Sequence, residues 1–228
     1  MPGSSRARAQ SFDGLAEVYD RLHQLTGDAV GDWLPTVLPA AGRRALDLGC
    51  GAGRHAVLLA ERFEHVDAVD LSGPMVELAR ARRPRPQIAY RRAALLDVSG
   101  AGHYDVVLSA ATLHHAADLT AALRHIRTLV APGGLAVLID TVSPRPAMPR
   151  WWLYGGQLRK LAGNLARRRP SEAWEIFRLS TGDWLEHRVS DRYLSREGFE
   201  RAYREIFDGA RFHAIGPHAM VWDAPPRT

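Results

Sequence analysis

The stretch Asp47-Leu48-Gly49-Cys50-Gly51-Ala52-Gly53 carries the densest chemistry in the chain. Glycines at alternate positions let backbone approach a ligand closely and take positive φ angles that a Cβ penalises. Before them, Ala45, Leu46 and Leu48 read as a buried strand; after them a helix runs from Arg54 to about Phe63. Asp70 closes the next short apolar run, Val66 to Val69. Together these form a strand–loop–helix–strand nucleotide-binding unit, with the Asp70 carboxylate available to sugar hydroxyls. A dinucleotide fold wants G-x-G-x-x-G, but here the third glycine comes one residue early and Arg54 stands where that pattern has glycine. With no Gly-Lys-Ser/Thr after the glycines, the loop is not a P-loop.

The elements that must position this loop alternate helix and strand. Residues 12–38 read as amphipathic helix broken at Gly27 and Pro35. Strands are expected at 44–48, 66–70, about 87–91, 104–109 and 135–139. Ser72 caps a helix that carries Pro74 in its first turn and stops before Pro84. Asp118 caps another, with Leu119, Ala122, Leu123, Ile126 and Val130 on one face, and Pro132-Gly133-Gly134 is read as its stop. Ser195 starts a last helix to about Phe207, followed by strands near 211–215 and 218–223 around Gly216-Pro217, an antiparallel hairpin.

The D-x-G-x-G-x-G form, followed by Asp70 and then Leu113-His114-His115, resembles the class I S-adenosylmethionine (SAM) methyltransferases, and most closely the small bacterial type-11 group, over roughly residues 12–141. The resemblance implies an α/β, Rossmann-like sheet of seven strands, the last antiparallel, with a helical insertion after strand five. It implies SAM as the cofactor, lying across the carboxyl ends of strands one and four. Gly49, Gly51 and Gly53 would line its methionine part, and Asp47 would orient the loop or hold the amino group through water. Asp70 would take the ribose hydroxyls, and Leu71 and Met75 would pack on adenine. Tyr19 resembles the aromatic residue that closes over the cofactor's carboxylate, and Ser109 ends strand four beside it. The family often carries an acid after strand three for the adenine amino group; here Ala94 occupies that place, followed by Leu95. Either their backbone holds the adenine or Asp97 reaches in along a different path.

The resemblance also implies that substrate and methyl donor meet in the first turn after strand four. A histidine there titrates near neutrality and suits a general base. Adjacent histidines on a helical turn point about 100° apart, so one faces the site; His114 is favoured, with His115 packed or capping. Metal binding is not expected, because neither cysteine nor carboxylate converges on the pair in sequence. Further on, Trp184, His187 and Asp191 share one face at helical spacing, which makes His187 a second acid/base candidate oriented by Asp191.

Charge and aromatic content are unevenly spread. The 228 residues carry a formal net charge of +5, and residues 144–190 alone hold nine basic residues against four acidic ones. The remainder is therefore balanced. The same segment holds Trp151, Trp152, Trp174 and Trp184, four of the six tryptophans, read as the wall of an aromatic pocket or as packing of an extra helical layer. The expected division is 1–43 as an N-terminal helical cap, 44–143 as the SAM-binding core, 144–190 as a substrate-binding insertion and 191–228 as closing helix and strands. A single cysteine, Cys50, suits a reducing compartment. Met1 to Gln10 is polar and no apolar run reaches the ~18 residues of a membrane span, so a cytoplasmic protein with no membrane partner is expected. The leading expectation is a methyltransferase acting on O or N of a small molecule, aromatic or carboxylate-bearing. An RNA or protein methyltransferase using Arg159 to Arg169, or a non-catalytic SAM-binding module, are the alternatives.

Overall fold

In the computed structural model, residues 12–227 are described; the polar start, Met1 to Gln10, lies outside them. Seven strands are present: β1 (Gly42–Leu48), β2 (Phe63–Asp70), β3 (Ile88–Arg92), β4 (Tyr104–Ala110), β5 (Val130–Asp140), β6 (Arg211–Ala214) and β7 (His218–Asp223). They pair in one sheet in the order β3-β2-β1-β4-β5-β7-β6. The first five are parallel, and β7 lies antiparallel between β5 and β6. The expected α/β sheet with an antiparallel last strand is therefore present. Its order reverses between β1 and β4, where open α/β sheets hold their ligands.

Helices cover both faces: α1 (Ala16–Thr26), α2 (Ala29–Trp33), α3 (Arg54–Ala60), α4 (Gly73–Arg82), α5 (Leu119–Leu129), α6 (Arg150–Leu165), α7 (Pro170–Thr181), α8 (Asp183–Ser190) and α9 (Arg196–Arg204). Side chains of β1 alternate between them, Leu46 and Leu48 entering one apolar cluster and Ala45 the other. The caps read in the sequence form: Ser72 accepts from Met75 N, Asp118 from Ala121 N and Ser195 from Gly198 N. Helices α6, α7 and α8 form the insertion between β5 and α9.

Pro132-Gly133-Gly134 does not stop α5, which ends at Leu129; these residues lie inside β5. Val130 already pairs with Tyr104, and the register shifts before Leu135 pairs with Val106. A Cβ on Gly134 would meet three carbonyl oxygens at 2.9–3.1 Å, so this bulge admits only glycine there.

The N-terminal helix docks through charge. Asp20 is fully buried and accepts from Arg82 at 2.6 Å, Arg83 at 2.7 Å and Gln24 at 2.9 Å. Burial alone would raise its pKa, but the hydrogen bonds from Arg82 and Arg83 hold it below the usual carboxylate range. Asp20→Ala leaves two guanidinium groups facing a cavity and is expected to cost about 3 kcal/mol in urea unfolding, the low end for a broken buried pair because Arg82 stays part exposed. Since the folded pKa is depressed, the contribution is present above the unfolded value near pH ~4 and lost as pH falls through the folded one. An unfolding curve of Asp20→Ala that matches the parent at neutral pH would contradict this.

Candidate active site

A cavity of about 420 Å³ opens at the carboxyl ends of β1, β2 and β4, with Gly49, Asp70 and Ala110 on its wall. Two features hold the glycine loop in shape. Gly49 has φ +76°, and a Cβ there would lie 2.1 Å from the Thr112 hydroxyl. Asp70 then clamps the loop from the side: Oδ2 accepts from Gly51 N and Oδ1 from Ser72 N, both at 2.8 Å. The strand-end acid thus organises the loop and the next helix while lining the cavity. Burial pushes its pKa up, against the pull of the Ser72, Gly51 and Leu71 amides.

Of the positions expected to hold the cofactor, Tyr19, Gly49, Gly51, Asp70, Leu71, Met75, Ala94 and Leu95 line this cavity. Asp97 lines it too, so both routes left open for the adenine amino group end on the same wall. Three positions do not reach it. Gly53 sits in the turn into α3 at φ +81°, where a Cβ would strike the Tyr90 hydroxyl at 2.6 Å. Ser109 is fully buried, its hydroxyl donating to Leu48 O at 2.9 Å and clamping β4 to β1. Asp47 lies beneath the loop, 1 % exposed, with Oδ2 lacking a partner among the described residues. Burial pushes its pKa up to about 6, while the His55 charge pulls it down.

The histidines are arranged differently from the sequence expectation. His114 and His115 lie in a 3₁₀ turn, Leu113–His115, and it is His115 that lines the cavity. His114 is turned toward the end of β5: its Nδ1 is 2.5 Å from Asp140 Oδ1 and its amide donates to Asp140 Oδ2 at 2.8 Å. The two rings lie against each other with centroids 3.9 Å apart, and Asp140 captures the first of the two. His187 is buried behind His115, its ring 5.4 Å from His115, 4.3 Å from Phe12 and stacked on Trp184 at 5.2 Å. Asp191 sits between the rings, with Oδ1 3.6 Å from His187 Nε2 and 3.9 Å from His115 Nδ1. Tyr193 donates to Asp191 Oδ2 at 2.7 Å, and burial pushes the phenol up. A carboxylate does converge on the pair, contrary to the sequence expectation: His114, His115 and Asp191 bring ligand-type atoms within 4.8 Å of one another.

Trp184 alone of the four insertion tryptophans approaches the cavity wall, 5.3 Å from Tyr19 and 6.5 Å from Phe12. Trp151, Trp152 and Trp174 are exposed instead.

A methyltransferase-domain family profile of type 11 matches residues 46–138. An uncharacterized methyltransferase of Mycobacterium bovis is 32% identical over 143 residues, which is 60% of this chain and 72% of that protein. The chain is a class I SAM-dependent methyltransferase. A ubiquinone biosynthesis O-methyltransferase of Xanthomonas oryzae pv. oryzae is 32% identical over 161 residues, 64% of this chain and 66% of the relative. Among solved structures, a DhpI–S-adenosylhomocysteine (SAH) complex superposes with TM-score 0.68 at 17% identity, covering 100% of both chains. A Thermotoga maritima SAM-dependent methyltransferase, described as a possible histamine N-methyltransferase, gives 0.62 at 15% identity over 94% of this chain and 98% of the other.

SAM is the cofactor of this methyltransferase, and its residues fit that group. The loop presents backbone at Gly49 and Gly51, a buried carboxylate oxygen lies beneath it at Asp47, and Asp70 keeps lone pairs beyond those the neighbouring amides use. Sequence reasoning missed Phe12, Ala111 and Thr112, which also line the cavity. Ala111 has φ +55°, a strained angle for a residue with a Cβ, and sits where β4 gives way to the histidine turn. No local pattern marks an alanine for that conformation.

Proposed function

We propose that this methyltransferase moves a methyl group to an O or N atom of a small acceptor, with His115 as the base. One observation carries the reading: the cavity is walled by apolar groups such as Phe12, Leu95 and Ala116, with a single histidine among its lining residues. Such a pocket suits a drug-sized ligand oriented by few polar groups. The relative named for ubiquinone biosynthesis O-methylation supports a hydroxyl acceptor. In this assignment Tyr19, Asp47, Gly49, Gly51, Asp70, Leu71, Met75, Ala94 and Leu95 hold SAM directly or through the loop. Of the N-terminal segment 1–43, the described residues 12–43 cap the site; 144–190 close its acceptor side through Trp184 and His187, and 44–143 with 191–227 form the core.

SAM, when bound, supplies a methyl group on a sulfonium, an already activated leaving group. The chain's own task is alignment, which contributes effective molarities up to ~10⁵–10⁸ M. His115 takes the acceptor's proton, which adds roughly 10²–10⁴ for a phenol or alcohol. Asp191 is a positioning residue, acting on the His115 ring; its 3.9 Å separation is longer than a hydrogen bond and of the kind that tightens when substrate binds.

The RNA alternative needs phosphate-binding arginines. In the run Arg167-Arg168-Arg169 two are engaged locally: Arg167 donates to Gly163 O at 3.1 Å, and Arg168 donates to Leu25 O at 2.7 Å and to Glu172. A screen with labelled SAM against small phenols, carboxylic acids and total RNA tests the reading. Turnover on a small acceptor is expected to stay nearly flat between low and moderate salt, and to be indifferent to Arg167→Glu with Arg169→Glu. An RNA enzyme would lose activity with a log–log slope of about −0.7 to −0.9 per phosphate contact. A steep slope abolished by that double reversal would overturn the small-molecule reading.

A further inference from the structure

Six of the eight large apolar side chains that stand exposed among the described residues lie on α6 and α7. The clustering is not scattered surface noise, because four of the five on α6 share one face, with Trp152 turned about 100° from Trp151. Along α6, Trp151, Tyr154, Leu158, Ala162 and Leu165 follow at intervals of three and four, which places them in a single stripe. Trp151 is 71% exposed. The buried positions of the same helix, Leu153, Gln157 and Leu161, form its packed side. The stripe continues onto α7, where the Phe177 ring lies 5.9 Å from Tyr154 and 5.7 Å from the exposed Trp174.

Around this apolar stripe stand Arg159, Arg169 and Arg178, all exposed and without an ion pair among the described residues. What covers the stripe must therefore accept Trp and Leu and carry negative charge. A second copy of the chain would set one basic face against another. An RNA would satisfy the arginines but leave Leu158 and Leu165 without an apolar partner. An anionic bilayer surface satisfies both, with Trp and Leu at the headgroup–acyl boundary and the basic groups on lipid phosphates. Tryptophan also favours that boundary, where an apolar ring with one polar N–H is at home.

We propose that the α6–α7 face lies on an anionic lipid surface as a peripheral contact. Among the described residues no helix is long and apolar enough to cross a membrane, and a contact of this kind needs none. The sequence expectation of no membrane partner rested on the absence of a span, which does not bear on a surface contact.

Co-sedimentation of the full chain with vesicles tests the proposal without any methyl transfer, so its outcome is independent of the acceptor's identity. Binding to phosphatidylcholine vesicles containing phosphatidylglycerol is expected to exceed binding to pure phosphatidylcholine by at least about tenfold and to fall with salt. Trp151→Ser with Leu158→Ser should lower the partition by roughly tenfold or more. Arg159→Gln with Arg169→Gln should lower it by about fivefold per charge. These side chains are exposed, so SAH affinity should be unchanged in both variants, which certifies their fold. Equal partition of parent and the Trp151/Leu158 variant would overturn the proposal. So would indifference to phosphatidylglycerol, or a dimer in light scattering that the Trp151/Leu158 variant abolishes.

Discussion

Asp70→Ala is expected to weaken binding of both SAM and SAH by about 100-fold in calorimetry, a loss of roughly 2.7 kcal/mol. Two effects combine in that figure. The carboxylate offers charge-assisted hydrogen bonds to the ribose hydroxyls in the proposed assignment, each contributing about 1.5–3 kcal/mol. It also holds Gly51 N and Ser72 N at 2.8 Å, so its removal frees the loop that must shape itself to the ligand. The second effect offsets part of any compensation by water. Asp70→Asn keeps one carbonyl acceptor in the same place and should fall between parent and alanine variant. The alanine variant must first be shown to be folded, by a near-parental unfolding midpoint. Unchanged SAH affinity in that folded variant would remove Asp70 from the cofactor site.

His115→Ala should lower the single-turnover rate on a hydroxyl acceptor by about 10²–10⁴, the range for general-base catalysis, while SAH affinity stays within about twofold. The asymmetry follows from position: His115 lies on the cavity wall, and the loop and Asp70 hold the cofactor without it. His114→Ala provides the contrast. Its ring faces Asp140, so its removal should act by loosening the turn and appear mainly in stability. Asp191→Asn should reduce kcat about tenfold with KM for the acceptor little changed, the signature of lost positioning rather than lost binding. Exhaustive dialysis against a chelator should leave the parent's rate intact. Restoration of a lost rate by a divalent cation would shift the His114, His115 and Asp191 cluster from proton transfer to metal binding. Equal turnover by His115→Ala and parent would leave alignment as the whole of catalysis.

The nucleotide loop was legible in the sequence because its chemistry is local. Alternate glycines, a preceding strand and an acid at the end of the next strand are all determined within about 25 residues by backbone sterics and strand geometry. The helix caps at Ser72, Asp118 and Ser195 were legible for the same reason, since a cap satisfies amides three residues away. The alternation of helix and strand was legible too, while the seven-stranded sheet with its antiparallel last strand came from the resemblance to the class I methyltransferases. Pro132-Gly133-Gly134 marks where local reasoning ends: the same residues break a helix or bulge a strand, and only pairing with β4 decided between them.

The tertiary structure decided everything that depends on which distant side chain arrives beside a local motif. Nothing near Leu113-His114-His115 in the sequence says that Asp140 will capture the first histidine and leave the second to the cavity. Asp191 reaches the pair from the far end of the insertion, so the carboxylate that sequence spacing denied to them is supplied by packing of α8. The insertion tryptophans were open to two readings as sequence, pocket wall or helical packing, because an aromatic residue gains by burial in either. The fold gave Trp184 to the Tyr19 side of the site and left Trp151 and Trp174 outward. Helical periodicity determines which residues share a face; only the placement of the helix against its neighbours determines whether that face meets the core, the ligand or the outside.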